Sequence, residues 1–439
     1  MASHALPPAL DPERPAGTRL AEAVRPEVAA GRAEPVPGRL RVAVLLKTNS
    51  GGEWVLPQVD ELRRRGHQVV LVIPPGTGPL TAELQERGIE VIGSPFTFSF
   101  RPTVATLRGV WELRKLLRRL RPDAVQYHLY ASALAARLST LGLPVRRIHS
   151  VAGPLYLESP LIHPVERLLW RLDDVIICGT QFTSTCYAAL GCPAARRPVA
   201  TYGVNTDHFA PPTDAALAPG GRALPTNRRA KARADLGIAQ DAFVVVMVAY
   251  VYPPRRLVHR GRGIKGHDVL LEAWRAFRRH RPQAHLLLVG GGYGPAGEAH
   301  RDDLIARFGT TADPSVTWLD SVADVRPCYA AADVSVSPSL SEGHGAATEA
   351  SAMGVPSIVS DAGGLPETVD ESSGWVVPRG DVAALGHALA SAYREFEAGQ
   401  LAARGAQARR RAVAFFDNRA AAVEVADAIE RSAGEAVRR

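Results

Sequence analysis

Leu40-Arg41-Val42-Ala43-Val44-Leu45-Leu46 is followed by Gly51-Gly52 and then by a helical stretch through Leu62. The run is apolar without alternation, the mark of a strand covered on both faces by helices. Gly66-His67 ends the helix and Val69-Val70-Leu71-Val72-Ile73 begins the next strand. The pattern continues with a strand around Glu90-Val91-Ile92, a helix from Val104 to Leu120, a strand at Ala124-Val125-Gln126-Tyr127, a helix from Ala131 and a strand at Val175-Ile176-Ile177. Strands alternating with helices imply a parallel sheet wound on both faces.

A second series of the same kind starts at Phe243-Val244-Val245-Val246-Met247-Val248. It runs through a helix near Val269 to Phe277, a strand His285 to Val289 closed by Gly290-Gly291-Gly292, and strands at Ser315 to Trp318, Asp333 to Val336 and Pro356 to Val359. The fold expected is α/β: two doubly wound, Rossmann-like domains facing across a cleft, where ligands bind. Residues 1–38, rich in Pro and poor in apolar periodicity, read as a disordered tail. Residues 39–210 form the first domain, 211–235 a Pro/Ala/Gly/Arg linker, 236–420 the second domain and 421–439 a closing helix.

The 439 residues suffice for two such domains. Their 46% hydrophobic and 22% charged content excludes a chain disordered throughout. The formal net charge of +8 would suit anionic partners. The sequence carries no helix-turn-helix, zinc-finger or RNA-binding signature, so nucleic acid is not expected as a partner. Cys178, Cys186, Cys192 and Cys328 form no C-x-x-C pair, and no apolar run reaches membrane-spanning length. A reduced, cytoplasmic setting is the expectation.

The chemistry-bearing stretch is Pro338-Ser339-Leu340-Ser341-Glu342-Gly343-His344-Gly345-Ala346-Ala347-Thr348-Glu349-Ala350, followed by Met353-Gly354-Val355-Pro356. A strand ends, a glycine-bearing loop follows and a helix begins, so backbone N–H groups at a strand's carboxyl end can receive an anion such as a diphosphate. Glu342 and Glu349 add acceptors for sugar or ribose hydroxyls. Alone, this is also how an ordinary capped helix with surface acids reads.

Its company decides. Arg121-Pro122-Asp123-Ala124-Val125-Gln126-Tyr127-His128, Tyr202-Gly203-Val204-Asn205-Thr206-Asp207-His208-Phe209, Lys265-Gly266-His267 and Gly363-Gly364-Leu365-Pro366-Glu367 stand in order around it. With Gly51-Gly52, this series over residues 40–420 resembles the retaining family 4 glycosyltransferases of the GT-B fold. The resemblance implies transfer of a sugar from a nucleotide-diphosphate donor to an acceptor hydroxyl, without metal or other cofactor. It implies that Glu349 binds the ribose, that Glu342 with Gly343, His344 and Gly345 holds the donor sugar, and that Lys265 pairs with the diphosphate. Gly51 and Gly52 would approach the distal phosphate, and His128 would orient the sugar at its reacting face. An ammonium about 4 Å from a phosphate contributes about 4 kcal/mol at an effective dielectric near 20. No Asp-x-Asp motif offers a metal site in its place. The acceptor is open between a small molecule, a lipid-linked group and a saccharide, to be met by loops near 94–102 and 153–164.

Two departures from the family stand out. Only six residues separate Glu342 from Glu349, one fewer than the family keeps, which on a continuous helix would rotate one carboxylate by about 100°. The Gly-Arg that precedes the family's Lys-Gly is absent, and among the arginines of 255–262 we assign Arg260 to its place. A non-catalytic nucleotide-sugar-binding subunit and a nucleotide-sugar 2-epimerase are the rival readings on this architecture. Trp111 to Arg121 forms a basic amphipathic helix that could lie on an anionic membrane, but the stripe of Leu113, Leu116, Leu117 and Leu120 is what packing on a sheet requires, and packing is the favoured reading. His149, His163 and His280 read as core or surface histidines.

Overall fold

The computed structural model describes residues 38–49, 51–96, 98, 103–211, 216–217, 223–224, 228–254 and 259–437. The expected tail lies outside them except for Gly38.

The first half alternates β1 (Arg41–Leu45), α1 (Leu56–Arg64), β2 (Gln68–Ile73), α2 (Pro79–Glu86), β3 (Glu90–Gly93) and α3 (Val104–Leu120). It continues with β4 (Ala124–His128), α4 (Leu129–Ser139), β5 (Arg146–Val151), α5 (His163–Leu169), β6 (Val175–Cys178) and α6 (Gln181–Ala189). All neighbouring strands are parallel, in the order β3-β2-β1-β4-β5-β6. β1 and β2 are apolar on both faces because both are roofed. Val42, Val44 and Leu71 pack with Val59 and Leu62 of α1 and Leu80 of α2, whereas Leu45, Val70 and Tyr127 pack with Leu113 and Leu117 of α3.

Between the halves, β7 (Ala216–Leu217) and β8 (Ala223–Leu224) pair antiparallel. The end of the expected linker is helical: α7 (Arg228–Asp235) anchors to the second half through buried Arg233, whose guanidinium donates to Asp333 at 2.8 Å.

The second half repeats the theme with β9 (Phe243–Val248), α8 (His267–Arg278), β10 (Ala284–Val289), α9 (Gly294–Phe308), β11 (Val316–Leu319), α10 (Arg326–Ala331) and β12 (Val334–Ser337). Then come α11 (Ala346–Ala352), β13 (Ser357–Ser360), β14 (Gly374–Val377), α12 (Val382–Glu397) and α13 (Leu401–Phe415). Its sheet, β11-β10-β9-β12-β13-β14, has the strand order of the first.

The closing helix, α14 (Asn418–Val437), starts three residues ahead of its expected position and packs on the first half. Val425, Ala426 and Ile429 are buried among Val59, Leu62 and Ile177. Arg65 of the α1 end bonds Asp427 and Glu430 at 2.7 Å, and His67 bonds Glu430 at 2.8 Å. The chain therefore crosses between halves twice, and the crossings run side by side. The Val204 amide donates to the Phe416 carbonyl at 2.7 Å, and that of Asn418 donates to Val204 at 3.0 Å.

Candidate functional site

In each sheet the strand order reverses between two central strands, β1 and β4 in the first half and β9 and β12 in the second. Loops leaving such a pair diverge to opposite faces and open a crevice at the strands' carboxyl ends. Gly51-Gly52 follows β1 and His128 ends β4, while Lys265 follows β9 and the 338–345 loop follows β12. These donor-site segments fall at the switch points, whereas the expected acceptor loops near 94–102 and 153–164 follow β3 and β5.

A cavity of about 1350 Å³ lies between the halves. Trp54 and Tyr202 line it from the first half, with Asn205 and His208 on the crossing segment. Glu342 to Gly345, Thr348 and Glu349 line it from the second, and Asn418 and Arg419 of α14 close it. Glu342 and Glu349 thus meet one cavity despite their short spacing. α11 begins only at Ala346, so Glu342 lies in the preceding loop, outside the helical register. Its side chain folds over Gly345, whose φ is +53°, where a Cβ would stand 3.1 Å from the carboxylate.

Lys265 is ion-paired with Glu342, both half-buried, and its ammonium lies 5.9 Å from the Tyr252 ring centre. Burial alone would lower the ammonium's pKa, but the adjacent carboxylate reverses the sign and holds it above its usual value. Close backbone packing brings the pair together. A Cβ on Gly266, at φ +73°, would stand 2.2 Å from the Pro338 carbonyl oxygen, and one on Gly363 2.0 Å from that of Glu342. Only glycine permits either approach. The Gly343 amide donates to Glu342 Oε1 at 3.1 Å, so this amide of the expected anion cradle already serves the loop's own carboxylate.

Glu349, on the first turn of α11, accepts from the Tyr329 hydroxyl at 3.0 Å. Burial pushes its carboxyl up to about 7, against the lowering effect of that hydrogen bond. Beside Lys265, Tyr252 stacks on Tyr293 with ring centres 4.9 Å apart, and Tyr250 meets the same ring at 6.0 Å. These tyrosines follow β9 and β10 and offer flat apolar surfaces that sequence reasoning did not single out; aromatic residues beside a strand-end glycine run were the available signal.

His128 departs from expectation. It ends β4, but its ring is fully buried behind the two rings that line the cavity, at 5.0 Å from Trp54 and 6.0 Å from Tyr202. Nδ1 meets the Tyr202 hydroxyl at 3.2 Å, while buried Nε2 has no partner. Burial, with His149 nearby, lowers its pKa to about 3, so the imidazole is neutral at ordinary pH. A strand's carboxyl end faces the crevice, but the bulky rings of the neighbouring loops can roof it, and here they do. His344 lines the cavity against Phe416, its Nε2 3.4 Å from Glu367. The backbone of Arg260 lies in a short 3-10 turn, His259–Gly261, and its side chain is outside the described residues, as are 255–258 entirely. In the expected acceptor loops, residues 97 and 99–102 are likewise outside.

Glu367 joins the halves. Its carboxylate accepts from the amides of Gln181 and Phe182 at 3.0 and 2.9 Å, capping α6. Burial opposes ionisation, but these bonds and His344 win and hold the carboxyl below its usual pKa. Among the described residues, the side chains that could together ligate a metal are His149, Glu166 and Asp173. The Arg137 guanidinium bonds both carboxylates at 2.5–2.9 Å, which makes the cluster a buried ion-pair network.

The family profile described as Glycosyltransferase Family 4 matches residues 54–208, and the one described as Glycosyl transferases group 1 matches residues 254–395. One profile covers most of each half, in the order of the two sheets. The chain belongs to the family 4 glycosyltransferases. This glycosyltransferase is 28% identical over 348 residues, 73% of it and 80% of the relative, to the GDP-mannose-dependent alpha-(1-6)-phosphatidylinositol monomannoside mannosyltransferase of Mycolicibacterium smegmatis. A D-inositol 3-phosphate glycosyltransferase of Saccharomonospora viridis is 34% identical over 187 residues, 41% of each chain. In fold the enzyme resembles the Anabaena protein HepE, solved with UDP-glucose, at a TM-score of 0.71 with 18% identity, covering 90% of this chain and 100% of that one. A putative UDP-N-acetylglucosamine 2-epimerase from Listeria monocytogenes shares the architecture at a TM-score of 0.59, so the fold alone does not separate transferase from epimerase. The family profiles do.

Proposed function

We propose that this glycosyltransferase moves a hexosyl or N-acetylhexosaminyl group from a nucleoside diphosphate sugar to an acceptor hydroxyl, with retention at the anomeric carbon and without a metal. The observation that carries the reading is the convergence of Glu342 and Glu349 on one interdomain cavity at the second sheet's switch point, with Lys265 ion-paired to Glu342. Glu349 is suited to two vicinal ribose hydroxyls, the tyrosines 250, 252 and 293 to a base, and Lys265 to the diphosphate, whose charge grows as the glycosidic bond breaks. Lys265 would then exchange Glu342 for phosphate and free that carboxylate for sugar hydroxyls. His128, neutral and behind Trp54 and Tyr202, acts by setting those rings and the floor of the sugar pocket. The relatives' names, which pair GDP-mannose with a phosphoinositide and a glycosyl group with inositol 3-phosphate, support a polyol acceptor hydroxyl, free or lipid-borne.

The test is turnover of a panel of nucleoside diphosphate sugars with inositol phosphates and with glycolipid acceptors, in excess chelator, with the product anomer read by NMR. The reading requires that donor be consumed only with acceptor, that chelator leave the rate unchanged, and that the donor's anomeric configuration persist. Metal-restored activity or an inverted product would refute those parts.

A further inference from the structure

The first half reaches into the second with one carboxylate. Residues 154–159 follow β5 as a tight turn, in which the Leu157 and Glu158 amides both donate to the Pro154 carbonyl, at 2.7 and 3.2 Å. Two side chains fasten this turn to the first half. Leu157 is buried with Val151, Trp170 and Ile176, and the Tyr156 hydroxyl meets that of Tyr187 at 2.6 Å, which itself bonds Glu166. Glu158, next to them, has its partners across the seam. Oε1 accepts from the Arg379 guanidinium at 3.3 Å, and Oε2 lies 3.3 Å from Nε2 of His259.

Those two partners flank the Lys265–Glu342 pair. His259 belongs to the short turn that leads to Lys265, and Arg379 also donates to the carbonyl of Leu340, two residues before Glu342. Asp361 fixes Arg379 in turn by accepting its backbone amide at 2.8 Å. Beside these side chains backbone meets backbone: a Cβ on Gly343 would stand 2.4 Å from the Ala152 carbonyl oxygen, and one on Gly363 3.1 Å from the Pro154 ring. Ala152 and Gly343 line the cavity, so the seam between the halves runs along its edge.

Glu158 Oε2 and His259 Nε2 are both buried, and neither has a hydrogen-bond partner. Their separation suits a hydrogen bond and their alignment does not. Buried polar atoms are seldom left in that condition, and a small rotation of one half on the other brings the bond into line. An Nε2–H donates to the carboxylate whether the imidazole is charged or neutral. We propose that Glu158 is a positioning residue, the clasp on which the two halves close. By gripping His259 and Arg379 together, it draws the segment leading to Lys265 and the loop carrying Glu342 against the turn after β5. The side-by-side crossings at Val204 and Asn418 give the pivot. An exposed ion pair would be too weak for this, but the Glu158 side chain is only 19% exposed and serves two partners at once. What closure does for the donor rests on the function proposed above; the clasp itself can be read without substrate.

Small-angle scattering and hydrogen exchange of the full chain test it directly. Glu158→Arg, which sets one cation against another at Arg379, should enlarge the radius of gyration and speed exchange about tenfold in peptides spanning 152–159 and 338–345, while β1 and β9 exchange as in the parent. Glu158→Gln and Arg379→Gln should each do so more weakly, and Arg379→Gln should cost less in the Glu158→Gln background than in the parent. Calorimetry with UDP and with GDP then reads the donor site: the tighter nucleotide should bind Glu158→Gln about tenfold more weakly, as the closed fraction falls. Unchanged scattering and exchange in Glu158→Arg, strictly additive Gln substitutions, or a nucleotide bound equally by parent and Glu158→Gln would overturn the proposal. So would faster exchange in β1 and β9 as well, which would make Glu158 a residue of the fold rather than of closure. A parent that binds neither nucleotide would count against the proposed donor site, while scattering and exchange still decide the clasp.

Discussion

Around the second sheet's switch point the crevice is lined by carboxylates, Glu342 paired with Lys265 and Glu349 held by Tyr329. Around the first sheet's it is lined by rings, Trp54 and Tyr202, with a neutral imidazole behind them. Two halves with one strand order have divided the work. On the proposed reading the second half holds an anion and its hydroxyl-rich attachments, while the first half sets the rings of Trp54 and Tyr202 beside the charged side chains of Glu53, Asp60, Glu61 and Arg64. Loops at switch points are free to diverge in this way because the sheets beneath them carry the stability.

Lys265→Ala breaks the comparison at its strongest point. It removes the cation and leaves Glu342 unpaired, and kcat/KM should fall by about three orders of magnitude, corresponding to about 4 kcal/mol. A loss below tenfold would mean that the charged half works through another cation. His128→Ala tests the apolar half. Turnover should fall by about a hundredfold, as for a misplaced reacting group, while nucleotide affinity stays within about threefold. Because the imidazole stays neutral down to about pH 3, the wild-type pH–rate profile should carry no histidine limb from this residue near neutrality.

Glu349→Gln sharpens the contrast by about 1–3 kcal/mol in nucleotide binding, and the loss should shrink for the 2′-deoxy nucleotide. The wild-type carboxyl, raised to about 7, ionises as pH climbs through neutrality, so affinity should rise over that range relative to the Gln variant. Folding stability has the opposite sign. Between its ordinary value and about 7 the unfolded carboxyl ionises first, so the wild type should lose stability as pH rises through that window while the variant does not. Calorimetric titration and thermal melts across pH read both. Glu367→Ala, which takes the acceptor from the first two amides of α6 and cuts a tie between the halves, should cost about 1 kcal/mol in unfolding free energy. An unchanged melt would show that the halves are held together by other contacts.

Much of the fold was readable because fully covered parallel strands are continuous apolar runs. β5 escaped that reading. Its Arg146, Arg147 and His149 belong to no apolar run, and they are accommodated by partners outside the strand: Asp174 for Arg146, the Leu172 and Thr140 carbonyls for the Arg147 guanidinium, and Asp173 and Arg137 for His149. β14 escaped as well, a short edge strand whose Trp375 and Val376 are incompletely covered. Of the site, the order of the glycine-bearing motifs located the crevice, because each must end a strand and start a turn.

The sequence by itself determined two doubly wound halves and the strand-end segments at their switch points, since periodicity and strand-end glycines are local properties. Only the tertiary structure decided that Glu342 and Glu349 reach one cavity, that His128 is roofed by Trp54 and Tyr202, and that α14 returns to pack on α1. These depend on which surfaces remain once two sheets have formed and met. A side chain's exposure is set by neighbours far away in the chain, and no spacing records them.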